Sequence, residues 1–230
     1  MQESKTNHLK ISDYDWKKLF FELVVVFLGV TAGFLLNNWR MKENEKSTEQ
    51  KYLNGFHQDV AANIEELKKS INSDSLWLVH AKPKLQSIQN GTIKIDSANY
   101  IVKLMVTISK ATFQSGTYEE IINSGNLNTI SNFKIKKQIV DYHMAISGVG
   151  FIDDYFYRYY NNFVMPFVFS NFSIIKGKLV DPAIIKTNRF ANVFAGYYSM
   201  VQQRKSAYKD LLNKSYLLKN ELEKLDLKSE

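Results

Sequence analysis

The sequence predicts an all-α protein, because its apolar residues recur at helical spacing and helix-breaking residues are few. The 230 residues include 3 prolines and 10 glycines, a composition that suits long helices better than a β-sandwich or barrel. Two long stretches carry apolar residues at alternating spacings of three and four, the pattern of a buried helical seam. We therefore expect an N-terminal transmembrane helix, a polar helical neck and an elongated antiparallel helical bundle with two long helices.

The transmembrane prediction rests on residues 19–36, an apolar stretch in which Glu22 is the one ionisable residue. As a helix it is roughly 27 Å long, close to the thickness of the hydrocarbon core. Trp16 and Trp39 bracket it, as interface belts of aromatic residues bracket membrane spans. The predicted segments are a tail over residues 1–15, the transmembrane helix over 16–39, a neck over 40–51 and the bundle domain over 52–230.

Two other interpretations of this stretch are a buried core helix and a cleaved signal peptide. A core helix of this length rarely lacks charges so completely. A signal peptide has an apolar region of about 7–15 residues and a small-residue cleavage site, whereas this stretch is longer and ends in Leu35-Leu36-Asn37-Asn38-Trp39. We predict an uncleaved anchor that begins near Asp13, with Ser12 and Asp15 as a capping box.

One face of the predicted span favours association with another helix. Its members follow one another at spacings of 4, 3, 4 and 3: Glu22, Val26, Gly29, Gly33 and Leu36. We call this set the glycine face. The Gly29-x-x-x-Gly33 pattern allows close approach of a second helix, and Glu22 would be paired across the contact. The alternative is that Glu22 snorkels to the interface and the glycines are incidental.

Flanking charge does not orient the span. The 18 residues before the stretch and the 18 after it each carry four basic residues: Lys5, Lys10, Lys17 and Lys18, then Arg40, Lys42, Lys46 and Lys51. This balance gives no bias under the positive-inside rule.

The bundle should open and close with long helices. The first seam holds Leu53, Phe56, Val60, Ile64, Leu67, Ile71, Leu78, Ala81, Leu85 and Ile88, with Asp74 at the one position that is not apolar. Pro83 should kink this helix and Asn90-Gly91 should end it, with a break near residues 72–73 as an alternative. The last helix should start at Asp181-Pro182. Its seam holds Phe190, Phe194, Tyr197, Val201, Tyr208, Leu211, Leu218, Leu222 and Leu225, with Arg204 and Ser215 as polar exceptions.

Shorter helices should fill the middle of the chain. One covers residues 97–110 with Asp96-Ser97 as its cap, and another covers about 131–147. Between them Thr117 and Glu120 form a predicted capping box and Gly125 a helix stop. The aromatic residues of 151–172 indicate a helix with one core face and a kink at Pro166, or an aromatic ligand or partner surface with Arg158 as its polar group. Residues 173–181 should form a loop or a short hairpin.

The sequence proposes no enzyme, cofactor or metal site. The chain has no cysteine, and its four histidines, His8, His57, His80 and His143, show no metal-binding spacing. Glu119-Glu120 and Asp153-Asp154 are the acidic pairs considered for acid–base chemistry, and helix termini explain both. The net charge of +7 comes mostly from dispersed residues, so we predict no nucleic-acid partner.

Two segments resemble a family of small single-pass membrane proteins from Bacteroidota without an assigned activity. Their NNW-like signature corresponds to Asn37, Asn38 and Trp39. Their "TYEEL-SSGNL" motif corresponds to Thr117, Tyr118, Glu119, Glu120, Ser124, Gly125, Asn126 and Leu127, with Ile121 and Ile122 varying the pattern. The similarity spans about residues 19–147. It implies an inner-membrane anchor with the C-terminal domain in the periplasm.

The motif residues have a structural interpretation. The Thr117–Glu120 box would start a helix, Gly125 would end it, Asn126 would form the turn, and Leu127 would dock the next helix. We predict a non-enzymatic, membrane-anchored structural or accessory protein that forms a homo-oligomer or binds a membrane complex through its transmembrane and coiled-coil-like seams. The alternative is a ligand-binding extracytoplasmic sensor domain that works through a separate signalling partner.

Overall fold

The computed structural model describes residues 13–108 and 110–226, with side chains for residues 16–108 and 110–225. This part of the chain is all-α, as predicted, with two strands of two residues each. It divides into two compact units, Met1–Gln50 and Lys51–Glu230. The predicted capping box of Ser12 and Asp15 lies outside the residues whose side chains are described.

Helix α1, Asp13–Gln89, contains both the apolar stretch and the first predicted seam. It continues through residues 72–73, so the alternative of a break there was wrong, and it continues through Pro83, where the kink stays a prediction. It ends where the sequence indicated. Gly91 has a φ of +67°, a left-handed conformation that favours glycine after a helix.

Helix α2 is Ile95–Val106 and helix α3 is Gly116–Asn123, followed by a 3₁₀ turn at Asn126–Thr129. The prediction for residues 97–110 found α2 but not its cap. The residue before the helix is Lys94, and no side chain caps this end. Asp96 lies instead in the first turn, where a carboxylate interacts favourably with the helix dipole.

Helix α4, Phe133–Tyr159, is longer than the predicted 131–147. Asn132 caps its start, since its side chain accepts a hydrogen bond from the Ile135 N–H at 3.2 Å. A π-helical turn at Tyr160–Val164 then leads into α5, Met165–Asn171. Pro166 stands in the first turn of α5, where a missing N–H is tolerated.

A short hairpin and the last long helix complete the chain. Strands β1, Phe172–Ser173, and β2, Lys178–Leu179, pair antiparallel, and a 3₁₀ turn follows at Pro182–Lys186. Asp181 caps this turn by accepting a hydrogen bond from the Ala183 N–H at 2.8 Å. The long helix α6 begins later than predicted and runs over Asn188–Asp226.

Within the unit Lys51–Glu230, α6 runs antiparallel to both α1 and α4. Trp77 of α1 contacts Tyr197, and Lys134 of α4 bonds to Glu221. The apolar seam positions of α6 from Phe190 to Leu222 are buried as predicted. They belong to two hydrophobic clusters, one around Leu67, Ile139 and Leu211 and the other around Met105, Phe167 and Phe194.

Candidate functional site

The N-terminal part of α1 is apolar and uncovered in the described structure. From Trp16 onward it includes an 18-residue window with a mean hydropathy of 2.4, none of which is buried. A core helix of a soluble protein would bury such a window. Among the described residues α1 is the one helix long and apolar enough to cross a membrane. The interface-belt residues Trp16 and Trp39 are both exposed.

The glycine face is exposed along its whole length. Val26 and Leu36 are about two-thirds exposed, at 65% and 63%, and Glu22 is exposed too. A Cβ atom added at Gly29 or at Gly33 would meet nothing within 4 Å. The face is therefore open to a second helix, which is the geometry that association through small residues requires.

The motif residues gather around the first turns of α1 in the unit Lys51–Glu230. The buried Tyr52 hydroxyl lies 3.3 Å from Ser124 Oγ and accepts a hydrogen bond from Asn126 Nδ2 at 3.2 Å. Gly125 has a φ of +72°, as a helix stop requires. Tyr118 and Leu127 pack against the cluster that contains Tyr52. The motif thus fastens α3 and the 3₁₀ turn to α1.

The predicted capping box of Thr117 and Glu120 was wrong. The residue before α3 is Ser115, and its hydroxyl bonds to Glu119 rather than to the backbone, at 2.6 Å. The Thr117 N–H donates to Asp59 Oδ2 of α1 at 3.0 Å. Glu120 instead forms an exposed ion pair with Lys51 at 3.7 Å. A carboxylate distant in sequence supplies the cap that local spacing had assigned to Thr117.

A layer of buried charged residues crosses the domain between its two hydrophobic clusters. Asp74 of α1 and Arg204 of α6 are only 3% and 4% exposed. Arg204 donates to Asp74 through two nitrogens, Nε to Oδ2 at 3.0 Å and Nη2 to Oδ1. Its guanidinium carbon also lies 4.3 Å from the Phe156 ring centroid. This bidentate pair joins the polar exception of the first predicted seam to one of the two polar exceptions of the second.

Asp153 of α4 adds a second carboxyl group to the charged layer. It is 3% exposed and accepts a hydrogen bond from the Tyr208 hydroxyl at 2.8 Å. Burial raises the pKa of Asp153, while the Tyr208 bond and the nearby Arg204 and Lys110 charges act in the opposite direction. Burial also raises the pKa of Tyr208, so this hydroxyl stays protonated and donates.

Placing Asp153 at a helix N-terminus was wrong, because α4 continues through Gly148 and Gly150 and puts Asp153 near its C-terminal end. In the sequence, the charged layer is indicated by the polar residues that interrupt the apolar seams. Ser215, the other exception in α6, is also buried and lies 3.3 Å from the Tyr142 hydroxyl. That hydroxyl in turn accepts from Asn63 Nδ2 at 3.1 Å.

His57, His80 and His143, the histidines within the described residues, do not converge on a metal site. Among residues 13–108 and 110–226, no group of three His, Asp or Glu side chains is placed to hold a metal ion. The Nε2 atom of His57 lies 3.5 Å from Glu223 Oε1. His143 stacks on Tyr118 with 3.7 Å between ring centroids. Burial lowers the pKa of His143. His8 lies outside the described residues.

The aromatic segment 151–172 has both a buried and an exposed face. Phe156, Tyr160, Phe167 and Phe172 are in the core, as the core-face interpretation predicts. Phe151, Tyr155 and Phe163 are exposed. With Arg158 they border a shallow surface hollow of about 450 Å³.

Comparison of the chain with protein families, curated proteins and solved structures finds no match. The resemblance to the Bacteroidota family therefore stays a prediction.

Proposed function

We propose that the protein is a membrane-anchored structural or accessory component that associates with itself or with a membrane complex. The observation that carries this proposal is the glycine face, where Gly29 and Gly33 leave the helix surface open. In a bilayer such a surface favours close helix packing. A carboxyl group like that of Glu22 is costly there unless it is paired, so the same contact would accommodate it.

The test is a pair of matched double variants of the full chain in lipid vesicles, with energy transfer between labelled copies as the readout. Gly29→Ile with Gly33→Ile should abolish energy transfer, because the added side chains keep the helices apart. Leu28→Ile with Leu35→Ile places the same residue on the opposite face and should leave the signal intact. Equal energy transfer in wild type and glycine variant would overturn self-association through this face.

A membrane complex is the other form of this proposal. In that case, the wild-type chain should crosslink in native membranes to one integral membrane protein, and the glycine variant should lose this product while the leucine control retains it. A wild-type chain that neither self-associates nor forms such a product would contradict both forms.

We further propose an inner-membrane location with the bundle domain in the periplasm. The support is the resemblance of Asn37, Asn38 and Trp39 to the signature of the Bacteroidota family. The flanking charges are balanced and therefore do not orient the span. Fusion of alkaline phosphatase to the C-terminus should give an active enzyme, and fusion of a fluorescent protein that matures only in the cytoplasm should stay dark. The reverse pair of results would place the domain in the cytoplasm.

A ligand-binding sensor is the second candidate, favoured by a hollow of about 410 Å³ between α4 and α6. Gln138 lines this hollow, and its buried Oε1 has no hydrogen-bond partner among the described residues. Screening the full chain with a panel of small hydrogen-bond donors should then give a thermal shift that Ala145→Phe removes by filling the hollow. A shift that survives Ala145→Phe, or a panel without any shift, would count against this candidate.

A further inference from the structure

The outer surface of α4 carries six exposed residues in a single row. They are separated by 3, 4, 3, 4 and 3 positions, which places them on one side of the helix: Asp141, Met144, Gly148, Phe151, Tyr155 and Arg158. We call this row the α4 stripe. The three large apolar members, Met144, Phe151 and Tyr155, are 66%, 64% and 49% exposed, so this side of α4 presents large apolar side chains to solvent.

The spacings of the α4 stripe are the same from either end, and residues at equal distances from its centre are complementary in charge or size. Its centre falls between Val149 and Gly150. When two copies of α4 pack antiparallel around that centre, Asp141 meets Arg158 of the second copy, and the reverse pair forms at the other end. In the same register Met144 meets Tyr155, and Phe151 meets Gly148.

The glycine supplies the space that this register needs. A Cβ atom added at Gly148 would meet nothing within 4 Å, so the backbone there offers an open depression for an aromatic ring. Phe151 is the exposed ring that faces this depression in the antiparallel register. A large side chain opposite a small one is how facing helices interdigitate.

A parallel arrangement of the same two surfaces is disfavoured. It would place Asp141 against Asp141 and Arg158 against Arg158, and like charges across an interface are repulsive. It would also set the two Phe151 rings against each other and leave Gly148 unfilled. Charge complementarity therefore selects a second copy of the chain, in antiparallel orientation, as the occupant.

We propose that the α4 stripe is a homotypic interface through which two copies of this chain pair antiparallel. The stripe is roughly 26 Å long at helical rise, and a single helix pair of that length lies at the small end of specific interfaces. The pairing is therefore transient. It goes beyond the proposed function and does not rest on it, because it uses α4 and no residue of the glycine face.

Site-directed crosslinking of the full chain tests the pairing, since the natural chain has no cysteine. Gly150→Cys places a thiol level with the centre of the stripe but to one side of it, where an added Cβ meets nothing within 4 Å. A bifunctional maleimide long enough to span the width of two packed helices should therefore link two copies into a dimer. Gln202→Cys, on the exposed surface of α6, serves as the control for random collision and should give little product.

Charge reversal in the Gly150→Cys background identifies the register. Asp141→Arg alone and Arg158→Asp alone should each reduce the dimer to the level of the Gln202→Cys control, because each sets like charges against each other. The two reversals together should restore the dimer. Single reversals without effect, or a double reversal that fails to restore the product, would overturn the antiparallel register, and equal yields from Gly150→Cys and Gln202→Cys would overturn the interface itself.

The same reporter separates this inference from association through the N-terminal helix. Adding Gly29→Ile and Gly33→Ile to Gly150→Cys should leave the crosslinked dimer in place in detergent. If the product is lost there while the charge reversals have no effect, the contact belongs to the glycine face and the α4 stripe is not an interface.

Discussion

Asp74 and Arg204 show how single residues set the alignment of the helices. Each interrupts an apolar seam, and each would leave a buried charge without its partner if the seams slipped by one turn. Exchanging a buried ion pair for apolar residues often leaves stability similar, whereas removing one partner is strongly destabilising. The pair therefore specifies the register of α1 against α6 and adds little net stability.

Removal of one partner should show this asymmetry. We expect Asp74→Leu to lower the free energy of unfolding by about 3–5 kcal/mol, because the Arg204 guanidinium loses its carboxylate. Asp74→Leu with Arg204→Met should recover most of that loss. Urea unfolding of the full chain in detergent, followed by circular dichroism, measures both. Glu65→Ala, which removes the exposed pair with Lys68, is the control and should cost less than about 1 kcal/mol. A double variant as unstable as Asp74→Leu would contradict the register interpretation.

Asp153 should make stability depend on pH. Burial raises its pKa above the ordinary value of 3.8, so the folded state holds the proton more tightly than the unfolded state. The free energy of unfolding then falls as pH rises from the unfolded pKa through the folded one. Asp153→Asn has no proton to lose, and its amide oxygen can still accept the Tyr208 bond. We expect this variant to gain stability relative to wild type as the pH rises above about 4, the ordinary pKa of an unfolded Asp.

Unfolding midpoints of the wild type and Asp153→Asn measured as the pH rises check the sign. The control is Asp154→Asn, which changes the neighbouring exposed carboxyl and should follow the wild-type curve. A difference between wild type and Asp153→Asn that is constant with pH would show that the carboxyl group titrates alike in both states.

At the scale of elements, α3 contacts α1 through a close approach at a glycine. A Cβ atom added at Gly55 would lie 2.8 Å from Thr117 Oγ1 and 2.9 Å from its Cγ2. Both atoms belong to a short side chain at the start of α3, which cannot move far while the Thr117 N–H bonds to Asp59. The glycine therefore allows α3 to dock, at the cost of the lower helix propensity of glycine.

The effect of Gly55→Ala should reverse sign with the residue at position 117. In the wild-type background we expect a loss of about 1–3 kcal/mol from overpacking. In the Thr117→Ala background the clashing atoms are gone and the backbone bond to Asp59 remains. Gly55→Ala should then gain about 0.5–1 kcal/mol from helix propensity. The four free energies of unfolding form a double-mutant cycle, and additive effects would contradict the contact.

The elements that the sequence predicted correctly are those defined by local pattern. The seam of α6 and the stop at Gly91 each depend on residues within a few positions of one another. The cap at Asp181 is also local, although it starts a 3₁₀ turn and not α6 as predicted. The errors have non-local causes. Asp59 caps α3 from another helix, 58 positions away. The two glycines in α4 do not end it, because packing on α6 outweighs their low propensity. Asp74 and Arg204 were each visible as exceptions, but their pairing depends on how two helices align.

At the scale of the whole molecule, the two units have different sources of stability. The unit Lys51–Glu230 buries most of its apolar seam residues and all three of the polar exceptions, Asp74, Arg204 and Ser215. The apolar window of the unit Met1–Gln50 is not buried, so in our proposal the bilayer takes the place of a core. A helix in hydrocarbon keeps its backbone hydrogen bonds, because breaking them there is costly.

The two units should therefore respond differently to denaturant in lipid vesicles. We expect urea to unfold the bundle domain while the N-terminal helix stays helical, which leaves a plateau of residual helicity by circular dichroism. Phe194→Ala, at a fully buried site, should lower the midpoint by the equivalent of about 3–5 kcal/mol and leave the plateau unchanged, because it alters only the domain core. A transition that removes all helicity would show that lipid does not stabilise the N-terminal helix. That result would contradict the proposed membrane anchor.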